Sequence, residues 1–186
     1  MSRSVNDAAN ASNATDPRFL AQLQLLRSRV EAELPKPAVI LVTSAARGDG
    51  KSLVAHSLAE SFLRAGHRAA LVHLTRGRDE RPDLPEIASV GDAADAGTGD
   101  RVEAMVRKMR AGYDFTVVDG RPLLQDSAAV SIAPLVDGIL IVVRVGRPES
   151  AADAAMMRTL KRAGARIVGV VAAEAQAIAD FGSAST

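Results

Sequence analysis

The sequence contains no cysteine and no tryptophan, and it has one tyrosine and four phenylalanines among its 186 residues. The absence of cysteine excludes disulfides, thiolate metal sites and cysteine nucleophiles. Aromatic residues make up 3% of the chain but hydrophobic residues 47%, so the core must be built from Ala, Val, Leu and Ile. Such a core is common in parallel sheets that are covered by helices, and the length suits a single domain.

The chain also lacks a strong charge bias and any long apolar run. Its net charge is +1, from 23 basic and 22 acidic residues, which argues against a nucleic-acid partner bound by bulk electrostatics. No apolar run approaches the roughly 18 residues of a spanning helix, and the first residues form no apolar signal core. We therefore expect a cytoplasmic protein without direct membrane insertion, which would reach the inner face of the plasma membrane only through a partner.

The first 35 residues divide into two segments. Residues 1–15 are small and polar and are interpreted as a disordered leader. Residues 16–35 are predicted to form an N-terminal helix, because Asp16-Pro17 suits a helix start and Pro35 and Pro37 suit its end. The apolar stripe of this helix has helical spacing and consists of Leu20, Leu23, Leu26, Val30 and Leu34.

Strand and helix patterns alternate along the rest of the chain. The predicted strands are residues 38–42, 68–74, 115–119, 138–143 and 166–172, and the predicted helices are 51–65, 100–112 and 150–163. Residues 75–99 are interpreted mostly as loop, and a capping box is predicted at residues 100–103. The alternation predicts an α/β fold, a parallel sheet with helices on both faces. It occupies one domain over residues 36–174, followed by a flexible tail over 175–186.

A glycine-containing loop joins the first predicted strand to the next helix. Residues 45–52 read Ala-Ala-Arg-Gly-Asp-Gly-Lys-Ser and fit the phosphate-binding P-loop pattern, with Ala45 in place of its first glycine. Glycines let backbone N–H groups approach a phosphate, Lys51 can reach the β- and γ-phosphates, and the Ser52 hydroxyl can ligate Mg²⁺. An ordinary strand-to-helix turn is the alternative, and the flanking strand and helix disfavour it. The predicted nucleotide-binding residues are Arg47, Gly48, Asp49, Gly50, Lys51, Ser52 and Leu53.

An acidic residue ends the third predicted strand. Asp119 follows the apolar run 115–118, where a P-loop enzyme places the carboxylate that organises Mg²⁺. We predict that Asp119 is the catalytic acid and that it shares the metal with Ser52. The expected cofactors are ATP or ADP together with Mg²⁺. The alternative is a strand-end acid that caps the following turn.

Three segments resemble one protein family. Residues 42–52 are similar to the Thr-Ser-Ala-x-Pro-Gly-Glu-Gly-Lys-Ser loop of bacterial tyrosine kinases (BY-kinases), which act in capsule and exopolysaccharide assembly. Residues 113–119 resemble their Walker B strand, and residues 133–144 resemble their Ala-Asp-Gly stretch with the following strand. The likeness spans about residues 18–173. It implies a P-loop NTPase fold close to the MinD and ParA ATPases, and a polysaccharide co-polymerase membrane protein or a related kinase as partner. It also implies that the leading helix could support an oligomer.

The chain departs from the family at residues that carry its chemistry. The family has an Asp-x-Asp pair after its second strand, where this chain has His73 and Thr75. An imidazole and a hydroxyl cannot supply two negative charges to hold Mg²⁺ or to accept a proton in the usual way. Near the end of its last strand the family places an Asn against the adenine, and the aligned residue in this chain is Ala173. The resemblance therefore implies a catalytically degenerate regulator or scaffold in envelope exopolysaccharide or capsule biosynthesis.

Two other motifs of the family are altered. Its Glu-x-x-Arg-x-x-Arg oligomerisation motif reads Ala21, Gln24 and Arg27 here. The tail over residues 174–186 contains no tyrosine, so we do not expect self-phosphorylation of the family's kind. The only tyrosine, Tyr113, lies beside a predicted core strand. His73 could be a proton shuttle, but it is interpreted as a packed, hydrogen-bonded histidine.

Three other functions remain open from the sequence. The first is an active ATPase, or a protein tyrosine kinase acting in trans, in which Asp119, Asp49 or Asp126 takes over the missing role. The second is a MinD/ParA-type partitioning ATPase, although Ala46 and Arg47 stand where those proteins carry an early lysine. The third is an interaction module with a vestigial loop. Arg121 could contact a phosphate or a partner.

Overall fold

The fold is described here from a computed structural model, which describes residues 17–74, 99–125 and 127–174. The strands are β1 (Ala38–Thr43), β2 (Ala69–His73), β3 (Phe115–Asp119), β4 (Gly138–Arg144) and β5 (Ile167–Ala173). The helices are α1 (Pro17–Glu33), α2 (Lys51–Arg64), α3 (Gly99–Gly112), α4 (Ser127–Ile132) and α5 (Ala151–Arg162), with a 3-10 turn at Leu123–Gln125.

The five strands form one sheet in the order β2-β3-β1-β4-β5, and every pairing is parallel. The central strand β1 is buried along its whole length, which explains its continuous apolar sequence. Strand β5 lies at an edge, so its burial alternates and Val170 is exposed. The predicted parallel α/β sheet is therefore confirmed.

The helices cover both faces of the sheet, as predicted. Helices α1 and α2 pack on one face, where Val30, Leu34 and Phe62 join a core with Ile40 and Val42. Helices α3, α4 and α5 pack on the other face. The strand residues that they contact alternate along each strand with those of the first core, so their side chains point to the opposite face. The apolar residues of that second helical layer include Val102, Val106, Met109, Ala129, Ile132, Met156 and Leu160.

Helix ends follow local sequence signals. Helix α1 begins at Pro17 and ends at Glu33, before the two prolines that were predicted to stop it. Gly66 follows α2 with a φ of 84°, the left-handed conformation that favours glycine after a helix. Ser150 caps α5 in a capping box with Asp153. The capping box predicted at residues 100–103 depends on side chains outside those that the structure describes.

Helix α4 and the 3-10 turn were not predicted. Both are short, at six and three residues, and too short to show a helical period. Leu123 and Ile132 nevertheless bury completely against the sheet. The predicted leader, residues 75–98 of the predicted loop, Asp126 and the predicted tail lie outside the described residues, and the domain boundaries stay predictions. The last residue of that predicted loop, Gly99, begins α3. Within the described ranges, no helix is both long and apolar enough to cross a membrane.

Candidate nucleotide-binding site

The predicted site residues meet at the carboxyl edge of the sheet, where β1, β2 and β3 end. Val42 of β1 is in register with Asp119 of β3, and Asp119 is in register with His73 of β2. The loop over residues 44–50 leaves β1 at the same edge and leads into α2. Because parallel strands place their carboxyl ends together, the loop and Asp119 share one side of the molecule.

The conformation of the loop requires its glycines. Gly48 and Gly50 have φ values of 77° and 91°, in the left-handed region that side chains disfavour. Gly50 is also the residue before α2, and no side chain caps the helix. The first backbone N–H groups of α2, which have no acceptor within the helix, are therefore available to an anion. They belong to Lys51, Ser52 and Leu53.

Lys51 lies folded across the loop. The residue is 9% exposed, and its Nζ donates a hydrogen bond of 3.4 Å to the Ala46 carbonyl. Burial lowers the pKa of the Lys51 ammonium, while the carboxylates of Asp119 and Asp49 act in the opposite direction and Arg47 adds to the lowering. A desolvated ammonium with one long hydrogen bond has a strong attraction for a phosphate that enters the loop.

Asp119 has a histidine as its neighbour. Asp119 is 5% exposed, and its Oδ2 lies 3.2 Å from Nδ1 of His73. The prediction that His73 is hydrogen-bonded is therefore confirmed. The carboxylate has a defined orientation within electrostatic reach of Lys51.

The residues at this edge fit Mg²⁺ bound together with a nucleotide. Mg²⁺ is usually held by one or two protein oxygens, with water and phosphate oxygens completing its shell. The Asp119 carboxylate and the Ser52 hydroxyl have this chemistry, and Ser52 is partly exposed. In the described ranges no group of three or more His, Cys, Asp or Glu side chains could form an all-protein cage.

Asp49, inside the loop, is 1% exposed. Its Oδ2 accepts a hydrogen bond of 3.3 Å from the Ala46 backbone N–H, and its Oδ1 lies 3.3 Å from Nε of Arg147. Arg147 follows β4 and binds Asp153 of α5 with two hydrogen bonds. Sequence reasoning missed Arg147; the nearest signal was the Ser150-x-x-Asp153 capping box beside it.

The remaining predicted residues lie around the loop. Arg47 is exposed, and its Nε donates to Gln125 at 3.3 Å. Leu53 is buried in the protein, so only its backbone faces the site. Arg121 is exposed, and its carbonyl accepts a hydrogen bond from Thr43 Oγ1. Thr75 and Asp126 lie outside the described residues.

The sequence matches no protein-family model and no curated protein. The fold, however, is similar to several solved structures. The kinase domain of the Escherichia coli tyrosine kinase ETK superimposes with a TM-score of 0.63 at 19% identity, over 84% of this chain and 73% of that one. The cell division protein MinD from Aquifex aeolicus gives a TM-score of 0.55 at 20% identity, over 73% and 68% of the two chains.

A third similar structure was solved with a nucleotide. Cobyrinic acid a,c-diamide synthase from Mycobacterium smegmatis, with a bound ATP analog and magnesium, gives a TM-score of 0.55 at 13% identity over 74% of each chain. At these identities the likeness concerns the fold alone. The chain therefore has the P-loop NTPase fold, which it shares with bacterial tyrosine kinase domains and MinD-like ATPases.

Proposed function

We propose that this protein binds ATP or ADP with Mg²⁺ in the loop over residues 45–52. The observation that carries the proposal is Lys51, which is buried at the start of α2 with a single long hydrogen bond to its own loop. An ammonium that has lost water without gaining a close anion is placed to bind an incoming phosphate. The likeness to a synthase solved with an ATP analog and magnesium supports the same ligand.

We further propose that the protein has kept nucleotide binding and has lost catalysis. The residue that contacts Asp119 from the neighbouring strand is His73, where the resembling kinases carry a carboxylate. One carboxylate beside an imidazole places less negative charge around Mg²⁺ than two carboxylates would. Phosphoryl transfer depends on that charge to organise the metal and the attacking group, so the proposed role is a nucleotide-dependent regulator or scaffold.

The proposed setting is envelope exopolysaccharide or capsule biosynthesis in the cytoplasm. The likeness to a tyrosine kinase domain supports this setting. The proposed partner is the cytoplasmic face of a polysaccharide co-polymerase membrane protein or a related kinase, and an oligomer through α1 is part of the proposal. The partner rests on analogy of fold and sequence motifs.

The test is calorimetric titration of the protein with ATP and ADP, with and without Mg²⁺. We expect micromolar binding that Lys51→Ala weakens by about 100-fold or more, because a desolvated charge contact to phosphate is lost. Lys36→Ala is the matched control. Lys36 is an exposed lysine that contacts His67 where the strands begin, at the end of the sheet opposite the loop. Absence of binding to either nucleotide would refute the proposal.

An active ATPase or a kinase acting in trans is the second candidate. The contact between His73 and Asp119 favours it, since an imidazole held by a carboxylate can accept a proton. Asp49 is a poor replacement acid because it is buried and faces Arg147. Phosphate release that is abolished by Asp119→Ala but not by Asp49→Asn would support this candidate. Binding without turnover would support the regulator.

A further inference from the structure

The phosphate-binding loop contains a buried negative charge. Asp49 lies between the two left-handed glycines, and its side chain is 1% exposed. A carboxylate at this position opposes the binding of phosphate, and it also attracts Lys51, whose ammonium is close enough to interact with it electrostatically. A loop that binds phosphate therefore needs a second cation for Asp49, so that Lys51 remains available.

Arg147 supplies that cation from a different part of the chain. Its Nε lies 3.3 Å from Oδ1 of Asp49, in an alignment that leaves neither atom with a formal hydrogen bond. The interaction is thus mainly one of charge. The second oxygen of Asp49 accepts from the Ala46 N–H, so the carboxylate is tied to its own loop on one side and to Arg147 on the other.

The guanidinium of Arg147 is held rigidly by helix α5. Its two terminal nitrogens donate to the two oxygens of Asp153 at 3.0 Å and 2.6 Å, and one of them also donates to Ser150 Oγ at 3.3 Å. Asp153 and Ser150 together form the capping box of α5. The cation that faces Asp49 is therefore fixed in place before any ligand binds.

We propose that Arg147 is a positioning residue of the phosphate-binding loop: it neutralises Asp49 and so keeps Lys51 free for the nucleotide phosphates. The part of this inference that concerns phosphate rests on the proposed nucleotide binding. The segment between β4 and α5 thereby becomes part of the site.

The experiment is a double-mutant cycle of wild type, Arg147→Met, Asp49→Asn and the double variant. ATP affinity is measured by calorimetry, and thermal unfolding is measured without nucleotide. We expect Arg147→Met to weaken ATP binding by about tenfold or more, because an unpaired buried carboxylate then competes for Lys51. Adding Asp49→Asn should restore most of that affinity and raise the unfolding midpoint of Arg147→Met by about 2–4 °C.

Two further variants separate charge balance from general structure. Asp153→Asn weakens the anchor in α5 but leaves Asp49 and Arg147 in place, so it should lower the unfolding midpoint with a smaller loss of affinity than Arg147→Met. Arg144→Gln removes an exposed arginine at the end of β4 and should leave affinity unchanged. Rescue of binding by a second substitution in the loop is a result that a merely structural role for Arg147 would not produce.

The outcomes distinguish this inference from the proposed function. If wild type binds ATP and the two substitutions act additively on affinity and stability, the role of Arg147 is refuted and the nucleotide proposal stands. If wild type binds no nucleotide, the proposed function fails, and with it the role of Arg147 toward phosphate. Coupling in the unfolding cycle would then support only the neutralisation of Asp49.

Discussion

The two edges of the sheet carry similar residues in different states. At the amino edge, where the strands begin, Lys36 Nζ lies 2.8 Å from His67 Nδ1, and His67 Nε2 lies 2.8 Å from Glu31. At the carboxyl edge the contacts of Asp119, Asp49 and Lys51 are longer, whereas Arg147 and Asp153 pair closely there. The separations there are 3.2 Å for Asp119 and His73, 3.3 Å for Asp49 and Arg147, and 3.4 Å for Lys51 and the Ala46 carbonyl.

The amino edge is a closed structural arrangement. The Lys36 ammonium can only donate, so Nδ1 of His67 accepts from it and the Nε2–H of His67 donates to Glu31. Beneath this series of side-chain contacts, the rings of Phe62 and Phe115 stack with centroids 4.1 Å apart. These polar groups are partnered and lie over packed aromatic rings, so the edge has a structural role.

The carboxyl edge is different because its charged groups are buried but are not closely paired. Asp49, Asp119 and Lys51 are all 9% exposed or less, yet their contacts are long. Burial of charge without close pairing is unfavourable for stability. A ligand that completed the pairing would offset this cost, so the comparison supports the proposed nucleotide binding at the carboxyl edge and a packing role for the amino edge.

The largest expected effect in this comparison is on stability at the amino edge. Phe115→Ala removes a fully buried ring that stacks on Phe62, so we expect a loss of about 3–5 kcal/mol in the free energy of unfolding. Denaturant unfolding measures it. The ATP affinity of the folded protein should change by less than about twofold, because the ring is remote from the loop. A large loss of ATP affinity in Phe115→Ala protein that is fully folded would contradict the proposal that the two edges act separately.

Two glycines allow a matched test of the edges. A Cβ at Gly120, next to Asp119, would lie 2.9 Å from the Val42 carbonyl oxygen, and a Cβ at Gly138 would meet the side chains of Leu34 and Val168. We expect each alanine substitution to cost about 1–3 kcal/mol of stability. Only Gly120→Ala should also weaken ATP binding, since it displaces the backbone beside Asp119. Equal affinities for the two variants would count against the proposed location of the site.

The smallest expected effect concerns the anchor of Arg147. The bidentate contact to Arg147 holds the pKa of Asp153 well below its ordinary value of 3.8, and the hydrogen bonds from Ser150 add to this. A carboxyl group with a depressed pKa stabilises the fold above its ordinary pKa, and this stabilisation is lost as the pH falls below it. At pH 7 the free energy of unfolding of wild type should exceed that of Asp153→Asn by about 1–2 kcal/mol.

Denaturant unfolding of both proteins at pH 7 and below pH 4 measures this difference. The gap between their free energies of unfolding should narrow on acidification, because below pH 3.8 the Asp153 carboxyl takes up a proton in the unfolded chain before it does so in the folded protein. A gap that is constant with pH would show that Asp153 acts only as a neutral hydrogen-bond acceptor at the start of α5.

Much of the fold was predictable because its signals are local. Buried parallel strands are continuous apolar runs, and the helices that cover them have apolar residues at helical spacing, so β1 and α2 were located to within a residue or two. Helix α4 was missed because six residues are too few to show a period. Its burial depends on the sheet surface that it meets, which no local pattern reveals.

The sequence by itself determined the parallel α/β fold, the glycines that shape the loop, and the positions of Lys51 at the start of α2 and Asp119 at the end of β3. It could do so because backbone conformation and apolar periodicity depend on neighbouring residues. Only the tertiary structure decided that His73 contacts Asp119 and that Arg147 faces Asp49. Those contacts join segments that are far apart in the chain, and electrostatic pairing depends on distance and burial in space, which sequence spacing does not encode.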